Sequence, residues 1–286
     1  MTAPQGHHTG TGPSHSCETE TVPGATGYPL TVRVWRAAHP VASVVMLHGL
    51  ISHSQWLAPV AECLSDDGIT TVCPDRRGSG ANPAPRGDAP SGAVLLDDLD
   101  HIVDRYASEG SDLHLAGFCW GAAYAVNYLA LRGRPVSSLA ILAPAIVPAP
   151  SVREHSMIAG RSGDATVDPI IPAEAFTRGP AYEQVILPDP LRLRKLSPRL
   201  NGILAEFAYM VGAKLTRLTT PTVIVLAQAD RVVDNAATRR LFGTMRASRK
   251  ELHTVPGEHG VQFDAPHEVA AILRGWMGGA PRRPRE

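Results

Sequence analysis

One cysteine of this sequence, flanked on each side by an aromatic residue and then a glycine, is well placed to carry out covalent chemistry. The pentapeptide "GFCWG" occupies residues 117–121 and has Cys119 at its centre. An apolar run, "LHLAG", leads into it and an alanine-rich segment follows, so the pattern predicts a strand, a sharp turn and a helix. A nucleophile in such a turn stands clear of the sheet in a strained conformation, and the glycines leave room for it. We therefore expect Cys119 to be a nucleophile.

Two later segments supply an acid and a base in the order that such a turn requires. Asp230 ends the strand-like run "PTVIVLAQAD". Asp234 is a rival, but it lies where the next helix should begin, and Asp is common there. In "RKELHTVPGEHGVQF", His253 falls inside a predicted strand, whereas His259 lies in the loop beyond it. The pattern favours Asp230 as the acid and His259 as the base.

An oxyanion formed during attack on an acyl group needs two backbone N–H donors beside the nucleophile. We expect one from Trp120, the residue after the nucleophile. The other is expected from Leu50, in the loop that follows "VVMLHG". His48 lies in the same loop, and its place in an "HG" turn favours holding the loop over direct chemistry. The predicted oxyanion hole therefore consists of the Leu50 and Trp120 amides.

Strand-like and helical patterns alternate along the chain and predict the scaffold for these residues. Apolar side chains recur at three- and four-residue spacings over 95–106, as in an amphipathic helix. The alternation predicts an α/β fold with a mostly parallel sheet covered by helices on both faces. Ligands in such folds bind at the carboxyl ends of the strands. The predicted strands lie in "YPLTVRVWRA", "ASVVMLHG", "TTVCPD", "LHLAG", "SSLAILAP" and "PTVIVLAQAD".

One stretch, residues 146–218, breaks the alternation and is rich in proline and arginine. A structureless loop of that length is improbable inside a compact domain, so we predict an inserted, mainly helical cap. Its strongest helical pattern is "LNGILAEFAYMVGAKL". The predicted organisation is a disordered tail over 1–16, a core in two parts over 17–145 and 219–278, the cap over 146–218, and a C-terminal tail over 279–286.

Composition narrows the class of protein. The 286 residues include 27 basic and 27 acidic side chains, which gives no reason to expect a nucleic-acid partner. No signal peptide and no apolar run long enough to span a membrane is apparent. The four cysteines lack metal-type spacing and are expected to be reduced thiols. We expect a cytoplasmic protein without cofactor or metal that acts on a small-molecule acyl substrate.

The chain resembles the α/β-hydrolase family, and its layout is similar to the monoacylglycerol lipase and lysophospholipase branch. The likeness rests on "LHGLISHSQWLAPVAECLSDDGITTVCPDRRGSGAN", "GFCWGA", "ADRVVDN" and "PGEHG". It covers roughly residues 17–277, because "PDPLRLRKLSPRL" also resembles cap segments of that branch. The resemblance implies the fold, whereas the substrate stays open because this fold hosts many chemistries. The departure is Cys119 in place of serine, which argues against plain lipase activity.

Two groups of cysteine-dependent proteins on this fold are similar in part. Dienelactone hydrolases resemble the chain at the glycine-cysteine-glycine turn, but they are smaller and lack a cap of this size. Dieckmann-type cyclases also use a cysteine. In some of them the acid comes from an earlier strand, and "SSLAILAPAIVP" contains no carboxylate.

Sulfur changes which acyl donors such a site can use. A thiolate attacks readily but is a better leaving group than an alkoxide, so the intermediate from a simple ester tends to revert. An activated ester or a thioester, free or carried on CoA or a carrier protein, has a leaving group that matches the sulfur. We therefore expect hydrolysis through an acyl-S-enzyme. The alternatives are acyl transfer or cyclisation onto a nucleophile other than water, and a non-catalytic ligand-binding protein.

Overall fold

The computed structural model describes residues 17–107, 109–150, 152, 176–177 and 180–278. The predicted tails, 1–16 and 279–286, and much of the predicted cap lie outside the described residues. The boundaries assigned to core and cap therefore stay a prediction.

Eight strands form one sheet in the order β1-β2-β4-β3-β5-β6-β7-β8. β2 pairs antiparallel with both β1 and β4, and every other neighbouring pair is parallel. The strands are β1 (Cys17–Pro23), β2 (Pro29–Trp35), β3 (Ala42–Leu47), β4 (Ile69–Pro74), β5 (Asp112–Phe118), β6 (Leu139–Leu142), β7 (Thr222–Ala227) and β8 (Lys250–Val255).

Helices follow most of the strands, as parallel connections require. They are α1 (Ala58–Asp66), α2 (Gly92–Ala107), α3 (Trp120–Arg132), α4 (Pro198–Ala208), α5 (Val211–Arg217), α6 (Asn235–Thr244), α7 (Val261–Asp264) and α8 (Pro266–Gly278). A single π-helical turn spans Tyr182–Ile186. No helix in the described ranges is both long and apolar enough to cross a bilayer.

The buried central strands explain why the apolar runs of the sequence form the middle of the sheet. All residues of β3, β4, β6 and β7 are buried. A strand covered on both faces carries apolar side chains throughout, because neither face meets water. β5 pairs in parallel with β3 on one side and β6 on the other, so these three strands end at the same edge of the sheet.

Two features differ from the sequence-based expectation. β1, at the edge of the sheet, was not among the predicted strands, because its "CETETVP" pattern is mostly polar and exposed. The helix predicted over "LNGILAEFAYMVGAKL" is two helices, α4 and α5, separated at Tyr209 and Met210. Met210 has a φ of 59°, in the left-handed region that no α-helix continues through.

The segment 189–193, which precedes α4, is attached to the loop after β3. The Oδ2 atom of Asp189 accepts hydrogen bonds from His53 Nε2 at 2.8 Å and Trp56 Nε1 at 2.6 Å. Burial opposes ionisation of Asp189, but these hydrogen bonds outweigh it and lower the pKa to about 2. The amide of Leu193 also donates to the Ile51 carbonyl at 2.9 Å. The segment and the loop are therefore held together by main-chain and charge-assisted contacts.

A buried histidine at the opposite end of the sheet makes the fold sensitive to acid. His114 of β5 is fully buried, and its Nδ1 atom lies 2.8 Å from Ser138 Oγ. Burial lowers the pKa of His114 to about 4. Below its ordinary pKa of about 6.5 the unfolded chain therefore binds a proton that the folded chain does not, and stability is lost as the pH falls.

We expect His114→Leu to weaken this acid sensitivity. Between pH 7 and pH 5 the wild-type protein should lose about 2 kcal/mol of unfolding free energy through this group alone, and urea unfolding at the two pH values measures it. His101→Leu, on the exposed face of α2, is the matched control and should keep the wild-type pH dependence. Equal pH dependence in the two variants would contradict the assignment.

Candidate active site

Cys119 occupies the turn between β5 and α3 in a conformation that side chains rarely adopt. Its φ and ψ are 55° and −119°, a strained combination for any residue other than glycine. Its N–H donates to the Leu142 carbonyl at 2.9 Å, and its carbonyl accepts from the Ala122 and Ala145 amides, both at 3.1 Å. These contacts hold the turn in place, at the carboxyl edge where β5 and β6 end.

The glycines on either side of the turn are required by close backbone contacts. A Cβ atom at Gly117 would lie 2.3 Å from the carbonyl oxygen of Gly121. A Cβ atom at Gly121 would lie 2.2 Å from the carbonyl oxygen of Leu47. Any side chain at either position would displace backbone, so the spacing in "GFCWG" is dictated by the turn and by its contact with β3.

The structure brings His259 and Asp230 together at the same edge. The Nδ1 atom of His259 lies 2.9 Å from Asp230 Oδ2, and both side chains are completely buried. The other oxygen of Asp230 accepts from the amides of Val232 and Val233 at 2.8 and 3.0 Å. These amides fix the carboxylate, and the carboxylate in turn fixes the orientation of the imidazole.

The two rival residues lie elsewhere. Asp234 accepts a hydrogen bond from the Ala237 amide at 2.8 Å and caps the N-terminus of α6. His253 belongs to β8 and lies 3.1 Å from Glu251 on the partly exposed side of that strand. Asp234 and His253 therefore lie outside the buried His259–Asp230 pair.

The charge of the Cys119 sulfur acts on the His259 ring, whose Nε2 atom is not bound to Asp230. The Nε2 atom of this imidazole is buried and makes no standard hydrogen bond to the described residues. Burial opposes protonation of the ring, but the charges of the Cys119 sulfur and the Asp230 carboxylate outweigh it and raise the pKa of His259 to about 10. At neutral pH the arrangement therefore favours a protonated His259 ring beside Cys119.

Both predicted oxyanion donors lie beside Cys119. Trp120 is the first residue of α3, and Leu50 is buried in the loop after β3. Within the described ranges neither backbone N–H donates to an acceptor. The loop touches Cys119, because a Cβ atom at Gly49 would lie 3.1 Å from Cys119 Cβ and 3.5 Å from its sulfur. Two free amides next to a nucleophile can stabilise negative charge on a substrate oxygen.

His48 holds the loop, as its place in the "HG" turn predicts. Its Nε2 atom accepts from the Arg76 amide at 3.0 Å, so the ring proton resides on Nδ1, which lies 2.8 Å from the Gly49 carbonyl. Burial and the charge of Arg76 lower the pKa of His48 to about 3. The ring therefore stays neutral at physiological pH, and both of its nitrogens are engaged in contacts within the protein.

Aromatic side chains for which the sequence predicts no role surround the site. Trp120 stacks on Phe207 of α4 with ring centroids 5.6 Å apart and planes 8° apart, and Tyr124 lies 5.8 Å from the same phenylalanine. Phe118 and Phe176 approach the His259 ring at 5.5 and 5.1 Å. No local sequence signal identifies these contacts, because they join segments far apart in the chain.

The other cysteines have less reactive surroundings. Burial and the neighbouring acids Asp66 and Glu62 raise the pKa of Cys63. Burial raises that of Cys73 well above its usual range. Cys17 is exposed on the edge strand, and partial burial raises its pKa as well. A higher pKa leaves less thiolate at neutral pH, so these thiols are poor nucleophiles.

Sequence comparison identifies a matching protein family and similar lipases. The family model described as serine aminopeptidase, S33 (Hydrolase_4) matches residues 38–265. The chain is 24% identical over 258 residues to monoacylglycerol lipase abhd6-B of Xenopus laevis, covering 82% of this chain and 75% of that protein. It is 23% identical over 263 residues to a monoacylglycerol lipase of Mycolicibacterium smegmatis, covering 87% and 92%.

Solved structures give the same result for the fold. A soluble variant of the Saccharomyces cerevisiae monoglyceride lipase, in complex with a substrate analogue, matches with a TM-score of 0.80 at 18% identity. The match covers 94% of this chain and 96% of that one. These likenesses confirm the fold class that the alternation of strands and helices predicts.

Proposed function

Because the chain belongs to the serine aminopeptidase, S33 (Hydrolase_4) family of α/β-hydrolase fold, we propose that it is a cysteine-dependent acyl hydrolase. Its substrates are activated esters or thioesters, and the acyl group passes through a thioester on Cys119. His259 transfers the protons, and Asp230 orients and stabilises its imidazolium. The amides of Leu50 and Trp120 bind the oxyanion.

One observation carries this proposal: the strained Cys119 turn meets a fully buried His259–Asp230 pair. Backbone strain of this kind persists only where the surrounding structure enforces it, and it concentrates at functional sites. A buried histidine whose pKa is raised by the charges of a neighbouring sulfur and a carboxylate is also typical of a catalytic site. A protein without catalytic activity would not need Cys119, His259 and Asp230 to lie together.

The chemistry follows in two half-reactions. The Cys119 thiolate attacks the acyl carbon, and the carbonyl π electrons move to oxygen, where the two amides hold the charge. The tetrahedral intermediate collapses, the bond to the leaving group breaks, and His259 donates its proton to that group. In the second half-reaction His259 takes a proton from water, the resulting hydroxide attacks the thioester, and Cys119 departs as thiolate while the acid is released.

Sulfur determines which leaving groups succeed. When the intermediate collapses, the group that leaves most easily is the one whose conjugate acid has the lower pKa. A simple alkoxide is a poorer leaving group than Cys119, so the intermediate from an alkyl ester returns to substrate. A thiolate or an aryloxide competes evenly with Cys119, and acylation then goes forward.

The acyl group is proposed to be apolar. The relatives named monoacylglycerol lipases act, by their names, on monoacylglycerols. In this chain the buried Trp120 and Phe207 rings stack beside the nucleophile, and apolar rings of this kind are suited to bind a hydrocarbon chain. Both observations favour an acyl chain over a small polar acid.

A second candidate is acyl transfer or cyclisation onto an acceptor other than water. It is favoured by the complete burial of Cys119 and His259. A site shielded from solvent slows hydrolysis of an acyl-enzyme and leaves time for an amine, alcohol or carbanion to attack. The acceptor then replaces water in the second half-reaction, and the rest of the mechanism is unchanged.

Intact-protein mass spectrometry with a series of acyl thioesters and aryl esters of increasing chain length tests the proposal. The wild-type protein should gain the mass of one acyl group, and Cys119→Ala should gain none. Cys63→Ala, which removes a half-buried thiol away from the site, is the control and should label like wild type. Pairing a CoA thioester with the N-acetylcysteamine thioester of the same acid measures whether the carrier contributes to binding.

The fate of the adduct separates the candidates. An adduct that decays in buffer supports a hydrolase, and the chain length that labels fastest gives the acyl preference. An adduct that persists until an amine or alcohol is added supports acyl transfer. Absence of any adduct, together with an unreactive Cys119, would contradict both and leave a ligand-binding protein.

A further inference from the structure

Arg76, in the loop after β4, is a buried cation without a carboxylate partner. Only 5% of its surface is exposed, and it forms no ion pair with any residue in the described ranges. The adjacent Asp75 carboxylate is already held by the Ser54 and Ala81 amides, both at 2.8 Å, and lies 3.5 Å from Arg33. An unpaired guanidinium in a protein interior is costly and calls for a specific role.

The guanidinium binds two consecutive carbonyls of the loop that carries the predicted oxyanion donor. Nη1 donates to the Gly49 oxygen at 3.1 Å, and Nη2 donates to the Leu50 oxygen at 2.9 Å. In a trans peptide the C=O and the following N–H point in opposite directions. By holding the Gly49 oxygen on its own side, Arg76 turns the Leu50 N–H to the other side. A flip of this peptide would break hydrogen bonds to both Arg76 and His48.

Arg76 also contacts the second predicted donor residue. The centre of its guanidinium lies 5.0 Å from the centroid of the Trp120 ring, within the range of a cation–π contact. One side chain therefore contacts both Leu50 and Trp120. Its Nε atom is buried and has no partner among the described residues, so the local bonds leave part of its charge uncompensated.

The groups near Arg76 that could carry a negative charge include Cys119. Burial lowers the pKa of Arg76 to about 10, so it remains a cation at neutral pH, and Cys119 is among the groups whose charge acts on it. His48 is neutral, because burial and the charge of Arg76 lower its pKa to about 3. Burial raises the pKa of Tyr124 well above 10, so the phenol is neutral as well. Asp75 is the remaining anion, and Arg33 shares it.

We propose that Arg76 is a positioning residue that sets the Leu50 peptide for oxyanion binding and supplies positive potential to the Cys119 thiolate. This inference rests on the proposed function, since it assigns Arg76 a part in the same acyl transfer. The guanidinium suits both tasks, because its planar fork binds two acceptors in fixed geometry and keeps its charge. It needs no contact with substrate.

Substitution of Arg76 by Met, Lys and Gln separates the two tasks. Acyl transfer from a thioester should lose on the order of 10²-fold in kcat in Arg76→Met, with KM changed less than about threefold, as for loss of one oxyanion donor. The pH of half-maximal iodoacetamide labelling of Cys119 should rise by about one unit. Arg76→Lys should keep the wild-type labelling profile but still lose about tenfold in kcat, because one ammonium cannot replace the fork.

Arg86→Met is the matched control. Arg86 also donates to two backbone carbonyls, those of Gly80 at 2.5 Å and Leu191 at 2.6 Å, but it lies on the surface away from Cys119. Its substitution should leave both kcat and the labelling profile unchanged. Thermal melts of all variants identify those that remain folded at the assay temperature.

Each outcome decides the inference. A folded Arg76→Met protein with kcat and labelling profile near wild type would overturn it and leave Arg76 a scaffold residue. If Arg76→Met does not fold, unchanged kcat in both Arg76→Lys and Arg76→Gln overturns it equally. If the wild-type protein forms no acyl adduct, the proposed function fails. The labelling profiles, which need no substrate, then still show whether Arg76 acts on the thiolate.

Discussion

Cys119→Ser should change which acyl donors the protein attacks as well as how fast it attacks them. Serine fits the strained turn, but its hydroxyl is far harder to ionise than a thiol. The rate with thioesters should fall on the order of 10³-fold or more. The ratio of thioester to alkyl-ester rates should also fall, by at least about tenfold, because an alkoxide nucleophile no longer leaves in preference to the alkoxide of the substrate. Steady-state assays with matched ester and thioester of one acid measure both quantities.

Cys119→Ala is the control for this comparison. It should be inactive with both donors, so any ester turnover by Cys119→Ser must come from the new hydroxyl. A serine variant that hydrolyses both donors with the wild-type ratio would contradict the idea that sulfur selects the substrate. Wild-type protein that turns over unactivated long-chain glycerides rapidly and ignores thioesters would contradict it as well.

Asp230→Asn should nearly abolish turnover and shift its pH dependence. The carboxylate fixes the imidazole and helps to raise the pKa of His259 to about 10. Protonation of the leaving group needs imidazolium, so wild-type activity should persist through neutral pH and decline as the pH rises toward 10. Without the carboxylate the pKa of His259 falls, and this decline moves to lower pH. The expected loss in kcat is on the order of 10³- to 10⁴-fold, the range that loss of a triad acid produces.

Asp234→Asn provides a control of the same chemical change four residues along the chain. Asp234 caps α6, and asparagine caps helices about as well as aspartate. Its stability should therefore change by less than about 1 kcal/mol, and its pH–rate profile should match wild type. A shifted profile in Asp234→Asn, or an unshifted one in Asp230→Asn, would reassign the acid.

Local patterns were sufficient to predict the buried strands of the sheet and the turn at Cys119. Strands buried on both faces appear as apolar runs, and the glycines of "GFCWG" are demanded by contacts of 2.2 and 2.3 Å that any side chain would violate. Asp230 and His259 could be selected because each follows a recognisable strand. Their meeting at 2.9 Å depends on the parallel pairing of β5, β6, β7 and β8, which brings the strand ends to one edge.

Other features depend on contacts that no local pattern encodes. β1 is polar and exposed, and it is a strand only because β2 pairs with it. The break between α4 and α5 lies within an uninterrupted apolar pattern, where Met210 adopts a left-handed conformation. Arg76 was visible in "PDRRGSGAN", but its contact with the Gly49 and Leu50 carbonyls joins two loops from different strands.

The complete burial of Cys119 also affects how fast oxidants can react with its sulfur. A thiolate is the form of cysteine that peroxides convert to sulfenic and then sulfinic acid, and the conversion follows exposure as much as ionisation. In this protein His259, the proposed proton-transfer partner of the sulfur, is completely buried as well. Complete burial therefore limits the access of peroxide to the sulfur.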